Sequence, residues 1–164
     1  MVIHELFEAQ VERTGDNIAV ISGNKQTSYY ELNQKANQLA HYLISLGIKP
    51  GMLVGIYMQR SLELIISMLG VMKVGGIYLL LEPSYPRARL DFMLSDSETS
   101  LVLVQEKFLP NLSENVKNVV CMDTKWEVIS EQSFKNLGYD GSIMSLAAVF
   151  YTSGSTGNPK GVLL

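Results

Sequence analysis

The segment LVGIYMQRSLELIISMLGVMKVGGIYLLL, residues 53–81, opens and closes on apolar runs that show no polar alternation. Residues 53–58 read as a buried strand, and Ser61 offers a hydroxyl N-cap to a helix whose apolar residues run to Val71. Gly75 and Gly76 stop that helix, and Ile77 to Leu81 start a second strand at once. Strands without alternation are covered on both faces, and a helix between two of them makes the pair parallel. The segment therefore implies an open α/β architecture.

The same grammar extends in both directions. Upstream, Ile3, Leu6, Phe7 and Val11 recur at helical spacing and give an amphipathic helix ending near Arg13 and Gly15. IAVIS and KQTSY flank Gly23-Asn24, a hairpin signal. Ser28 with Glu31 forms a capping-box pattern, after which Leu32, Ala36, Leu39, Ala40 and Leu43 line one helical face until Gly47 and Pro50 end it. Downstream, a helix carrying Leu90, Phe92, Met93 and Leu94 leads to the apolar strand SLVLV, and NVVCM around Cys121 reads as another. Between Trp126 and Ser145 the apolar period weakens, which marks this as the least ordered stretch. LAAVFY, residues 146–151, reads as one more buried strand.

Composition narrows the function. At 164 residues the chain fits one domain with a real core, and 47% hydrophobic against 18% charged residues excludes disorder. Thirteen basic and sixteen acidic residues leave a net charge of −3 without a basic block, so neither nucleic acid nor an anionic membrane is an expected partner. Cys121 is the one cysteine, which excludes an internal disulfide or a CxxC site and fits a reducing cytoplasm. The charged N-terminal segment is no signal peptide, and no run approaches a membrane span.

The chemistry is concentrated in TSGSTGNPKG, residues 152–161, where seven of ten residues are Gly, Ser or Thr. Gly154, Gly157 and Gly161 allow close backbone approach and an anion nest; Thr152, Ser153, Ser155 and Thr156 add hydroxyls, and Lys160 adds a positive charge. The expected guest is a polyphosphate. The spacing is neither the GxxxxGK[ST] loop nor the dinucleotide fingerprint; by composition alone such a run is more often a flexible linker than a phosphate cradle, and its position between a buried strand and another apolar run brings the two readings level.

Preceded by Tyr151, TSGSTGNPKG resembles the phosphate-binding signature of adenylate-forming enzymes, specifically the adenylation domains of nonribosomal peptide synthetases. TSYYELNQKANQLA from Thr27 and MKVGGIYLLLEPSYPRARL from Met72 are similar to the first and second core motifs of those domains, and IHELFEAQVERTGDNIAV to their start. Residues 1–164 thus resemble the N-terminal part of the large AMP-binding domain, a mostly parallel sheet flanked by helices. The resemblance implies that an amino acid carboxylate attacks the α-phosphate of Mg-ATP, after which a carrier-protein phosphopantetheine thiol takes the aminoacyl group. It assigns Thr152, Ser153, Gly154, Ser155, Thr156, Gly157 and Lys160 to gripping the β- and γ-phosphates. It also implies that pocket, metal, ribose and catalytic-lysine residues lie past Leu164, so the chain alone is expected to be inactive and to self-associate through uncovered apolar surface. Alternatives are a fragment of an acyl- or aryl-CoA ligase and a non-catalytic binding or assembly module.

Other residues receive plainer readings. His4 and His41 are expected at the surface or its boundary, Cys121 as a small core residue, and Met58, Met68, Met72 and Met93 as core filler. Asp91, Asp96 and Glu98 read as a solvated face, and Arg87 and Arg89 as residues facing water.

Overall fold

In the computed structural model, residues 2–138, 147–152 and 157–164 are described. The chain runs α1 (Ile3–Thr14), β1 (Ile18–Ser22), β2 (Lys25–Ser28), α2 (Tyr29–Ser45), β3 (Leu53–Tyr57), α3 (Leu62–Lys73), β4 (Ile77–Leu81), α4 (Arg87–Asp96) and β5 (Leu101–Val104). A 3₁₀ turn over Glu106–Asn111, β6 (Val119–Cys121), α5 (Trp126–Ile129), β7 (Ala148–Thr152) and β8 (Lys160–Leu163) follow.

β1 and β2 form an antiparallel hairpin turning at Gly23, whose φ of 60° suits a residue without a Cβ. The remaining strands make one six-stranded sheet in the order β6-β5-β3-β4-β7-β8. Every pairing in it is parallel except β7 with β8. The antiparallel edge strand β8 is an addition to the mostly parallel sheet expected from the sequence. All four of its residues are exposed, so no burial pattern marks it as a strand; its pairing with β7 makes it one.

The period-two geometry of the strands divides the core into two layers. Val54 and Ile56 of β3, Tyr78 of β4, and Leu101 and Leu103 of β5 pack with Leu32, Leu39 and Leu43 of α2 and with Ile66 and Leu69 of α3. The alternate residues Tyr57, Leu79, Leu81, Val102 and Val104 pack on the other face against Leu90, Met93 and Leu94 of α4. Helices on both faces explain why the strand sequences carry no polar alternation.

Capping fixes where the helices begin. Ser28 Oγ accepts from the Glu31 N–H at 3.1 Å while the Glu31 carboxylate accepts from the Ser28 N–H, completing the expected box. Ser61 Oγ accepts from the Leu64 N–H at 3.2 Å. α2 and α3 cross closely at Gly70, where a Cβ would sit 2.7 Å from Leu39 Cδ2.

Several sequence expectations are corrected. The stretch after Trp126 is not loose as far as residue 138, because α2 holds it. Asn33 and Asn37 donate to Asn136 Oδ1 at 2.9 Å, Asn37 also donates to the Phe134 carbonyl, and Gln38 donates to that of Ser130. The rest of that stretch, 139–145, lies outside the described residues. His4 is buried rather than at the boundary, beside the buried ion pair of Glu8 and Lys73. Arg89 stacks on Tyr85, with its guanidinium carbon 4.4 Å from the ring centroid, instead of standing in water. Met58, Met72 and Met93 are core residues as expected.

Candidate functional site

The glycine-rich segment is carried between two paired strands. β7 runs parallel to β4 and ends at Thr152, so the segment leaves the sheet at the C-terminal edge of its parallel strands, where open α/β sheets bind ligands. The chain returns as β8, in register Tyr151 with Gly161 and Thr152 with Lys160. Directly opposed residues project to one face of a hairpin. The structure therefore brings Thr152 and Lys160 side by side at the mouth of the loop.

Lys160 is consequently the first residue of a strand and not a loop residue, a refinement of the sequence reading. Both Thr152 and Lys160 are exposed. Gly157 has φ of 87°, a left-handed backbone, and a Cβ there would meet nothing within 4 Å; its requirement for glycine is conformational rather than steric. Ser153, Gly154, Ser155 and Thr156 lie outside the described residues.

Beneath the mouth, Tyr151 turns toward α4. Its hydroxyl donates to Asp96 Oδ2 at 2.7 Å. Burial, and then the Asp96 carboxylate as acceptor and neighbouring charge, push the phenol up to about 12. Asp96 thus has a specific partner and is not part of a featureless solvated face. The signal for this contact was present in strand parity, since Val149 and Tyr151 share the face that α4 covers; the identity of the acceptor was not.

Toward the centre of the same sheet edge, Gln105 Oε1 accepts from the Gln59 N–H at 3.2 Å, and its amide donates to Ser61 Oγ at 3.3 Å. This buried amide ties the end of β5 to the β3–α3 turn. A cavity of about 570 Å³ between α4 and residues 113–118 shares no residue with the glycine-rich segment. Among the described residues no three His, Cys, Asp or Glu side chains converge as a metal site, and no helix is long and apolar enough to cross a membrane.

Comparison with known proteins bears on the family and the fold. The family model described as AMP-binding enzyme matches residues 7–164. Gramicidin S synthase 2 of Brevibacillus brevis is 42% identical over 163 residues, which are 99% of this chain and 4% of that protein. A structure of the nonribosomal peptide synthetase FmoA3 in its α-methyl-L-serine-AMP bound form superposes with a TM-score of 0.89 at 30% identity, over 100% of this chain and 18% of that one. The Klebsiella oxytoca NpsA N-terminal subdomain superposes with a TM-score of 0.85 at 26% identity, over 98% of this chain and 41% of that one. The chain therefore spans a small part of the relatives it matches.

Proposed function

The chain belongs to the AMP-binding enzyme family, and from that premise we propose that it supplies the polyphosphate-gripping part of an amino-acid-adenylating unit of nonribosomal peptide synthesis. The observation that carries this reading is the pairing of Lys160 with Thr152 at the mouth of a glycine-rich hairpin on the C-terminal edge of the sheet. The ammonium of Lys160 is a mobile point charge for phosphate oxygens, and the Thr152 hydroxyl is a neutral donor beside it. Gly157 gives the backbone the left-handed turn from which successive N–H groups can face an anion. Ser153, Gly154, Ser155 and Thr156 complete the same grip in this reading.

When bound, Mg-ATP supplies the α-phosphorus that a carboxylate attacks, with pyrophosphate as the leaving group. The contribution of Thr152, Gly157 and Lys160 is to hold the β- and γ-phosphates and to neutralise charge as pyrophosphate departs. Magnesium is assigned no ligand on this chain. The amino acid and the phosphopantetheine-bearing carrier protein are partners of the whole enzyme in this reading. Self-association through the exposed apolar side chains of Phe150, Val162 and Leu163 is part of the same proposal and is read by size-exclusion chromatography with light scattering.

The test is calorimetric titration of Mg-ATP into the chain. Lys160→Ala removes one charge-assisted contact and is expected to weaken binding roughly 10- to 100-fold. Gly157→Val places a β-branched residue at positive φ and is expected to abolish it. Absence of binding by the parent chain, or equal binding by both variants, overturns the proposal.

A further inference from the structure

We infer that Tyr151 and Asp96 are positioning residues that clasp the two stems of the glycine-rich loop onto α4. The inference rests on the phosphate-gripping reading above and names the residues that hold that grip in place.

The need for a clasp follows from where strand pairing stops. Among the described residues, β7 pairs with β4 only through Ala148 opposite Tyr78 and Val149 opposite Leu79, and β8 pairs only with β7. Phe150, Tyr151 and Thr152, with Val162, Gly161 and Lys160 opposite, thus extend past the last parallel rung as a two-stranded overhang. A two-stranded ribbon is marginal in water without a further packing partner.

Tyr151 provides that partner. Its ring joins the apolar layer shared with α4, and its hydroxyl reaches Asp96 on the last turn of that helix. The ring also explains the glycine at 161. A Cβ there would lie 3.3 Å from Tyr151 Cζ and 3.4 Å from Val149 Cγ1, so any other residue crowds the phenol and asks it to give by a few tenths of an ångström. Glycine 161 thus leaves room for the tyrosine ring. The rung clasped in this way, Tyr151 with Gly161, is immediately next to the Thr152–Lys160 rung. Fixing the first fixes the separation and relative orientation of the second.

The clasp is tested by amide hydrogen exchange followed by NMR on the chain without nucleotide. Tyr151→Phe keeps the ring on Gly161 and removes only the hydroxyl; Asp96→Ala removes the acceptor. Each is expected to speed exchange of the amides in 149–152 and 160–163 roughly tenfold, the loss of one charge-assisted hydrogen bond. The double variant is expected to match the singles, because one bond can be lost once. Amides of β3 and β5 are expected to keep their protection. An unchanged hairpin, additive effects, or equal acceleration in β3 and β5 overturns the inference, the last because it reports global destabilisation. These outcomes are independent of nucleotide binding. Variants that lose hairpin protection as expected, beside a parent chain that binds no Mg-ATP, refute the phosphate reading alone; variants with unmoved protection, beside a parent chain that binds Mg-ATP, refute the clasp alone.

Discussion

Replacing Glu8 with alanine strips the partner from a buried ammonium. Lys73, on the last turn of α3, is 1% exposed, and its ammonium is bound by the Glu8 carboxylate of α1, whose side chain is 21% exposed. His4 and Val11 are buried and Phe7 is half-buried beneath the lysine, but Ile3 and Leu6 are 57% and 54% exposed. Breaking a fully buried pair costs about 3–5 kcal/mol. The partial exposure of Glu8 lets water in where the carboxylate was, so the expected loss is about 2–4 kcal/mol. Urea unfolding followed by far-ultraviolet circular dichroism at pH 7 measures it, with no change in slope if the native fold persists.

The pH dependence gives a second, independent reading of the same substitution. Burial pulls the Lys73 ammonium below its ordinary 10.5, against the hydrogen bond and charge of Glu8, which raise it. A base whose folded value lies below its unfolded value binds fewer protons when folded, so stability rises with pH between the two. Without Glu8 both raising influences vanish and the folded value falls further. The deficit of Glu8→Ala is therefore expected to shrink as pH climbs from 7 toward 10. Glu8→Leu combined with Lys73→Met is expected to recover most of the loss, because an apolar pair of similar volume carries no desolvation cost. A loss below about 1 kcal/mol for Glu8→Ala, or a deficit that does not change with pH, refutes the view that this ion pair docks α1.

Two further substitutions test local packing and backbone strain. Gly70→Ala gains up to about 1 kcal/mol of helix propensity. Its Cβ, however, would meet Leu39 Cδ2 at 2.7 Å and Cγ at 3.0 Å in a fully buried contact, so a net loss of about 1 kcal/mol is expected from chemical denaturation, and a gain would mean that Leu39 moves aside freely. Glu98 ends α4 at φ of 52°, the one positive φ outside glycine among the described residues; Glu98→Gly is expected to stabilise by about 1 kcal/mol, and an unchanged or lowered urea midpoint counts against strain at that cap.

What the sequence disclosed and what it hid divide along a physical line. Elements set by local pattern were legible: the Ser28–Glu31 box, the Ser61 cap, the turn at Gly23, and strands whose unbroken apolar character told of cover on both faces. Residues whose role depends on a distant partner were not. Asn33 and Asn37 look like the polar side of α2 until residues 134–136 are laid across them. Asp96 looks solvated until a tyrosine 55 positions later arrives at 2.7 Å. β8 has no burial signature of its own and is a strand only because β7 is beside it. Within the candidate site, Thr152, Gly157 and Lys160 were legible as residue types, while the placing of Lys160 on a strand opposite Thr152 required the fold.

Two lysines make the same point about charge. Lys73 stands in an apolar helix and Lys160 in a polar loop sequence, and neither setting alone says which ammonium is free to act. Burial decides it. An ammonium at 1% exposure is committed to its carboxylate, and its removal is read in stability. An ammonium on an exposed strand end pays no desolvation cost in the free protein, and its removal should be silent in stability but visible wherever a phosphate is bound. The overhang of the hairpin makes that separation of effects possible: the paired part of the sheet carries the core, and the part beyond Val149 carries the loop. Fold stability and the proposed anion grip can then vary independently, except through Tyr151, the side chain inferred to join them.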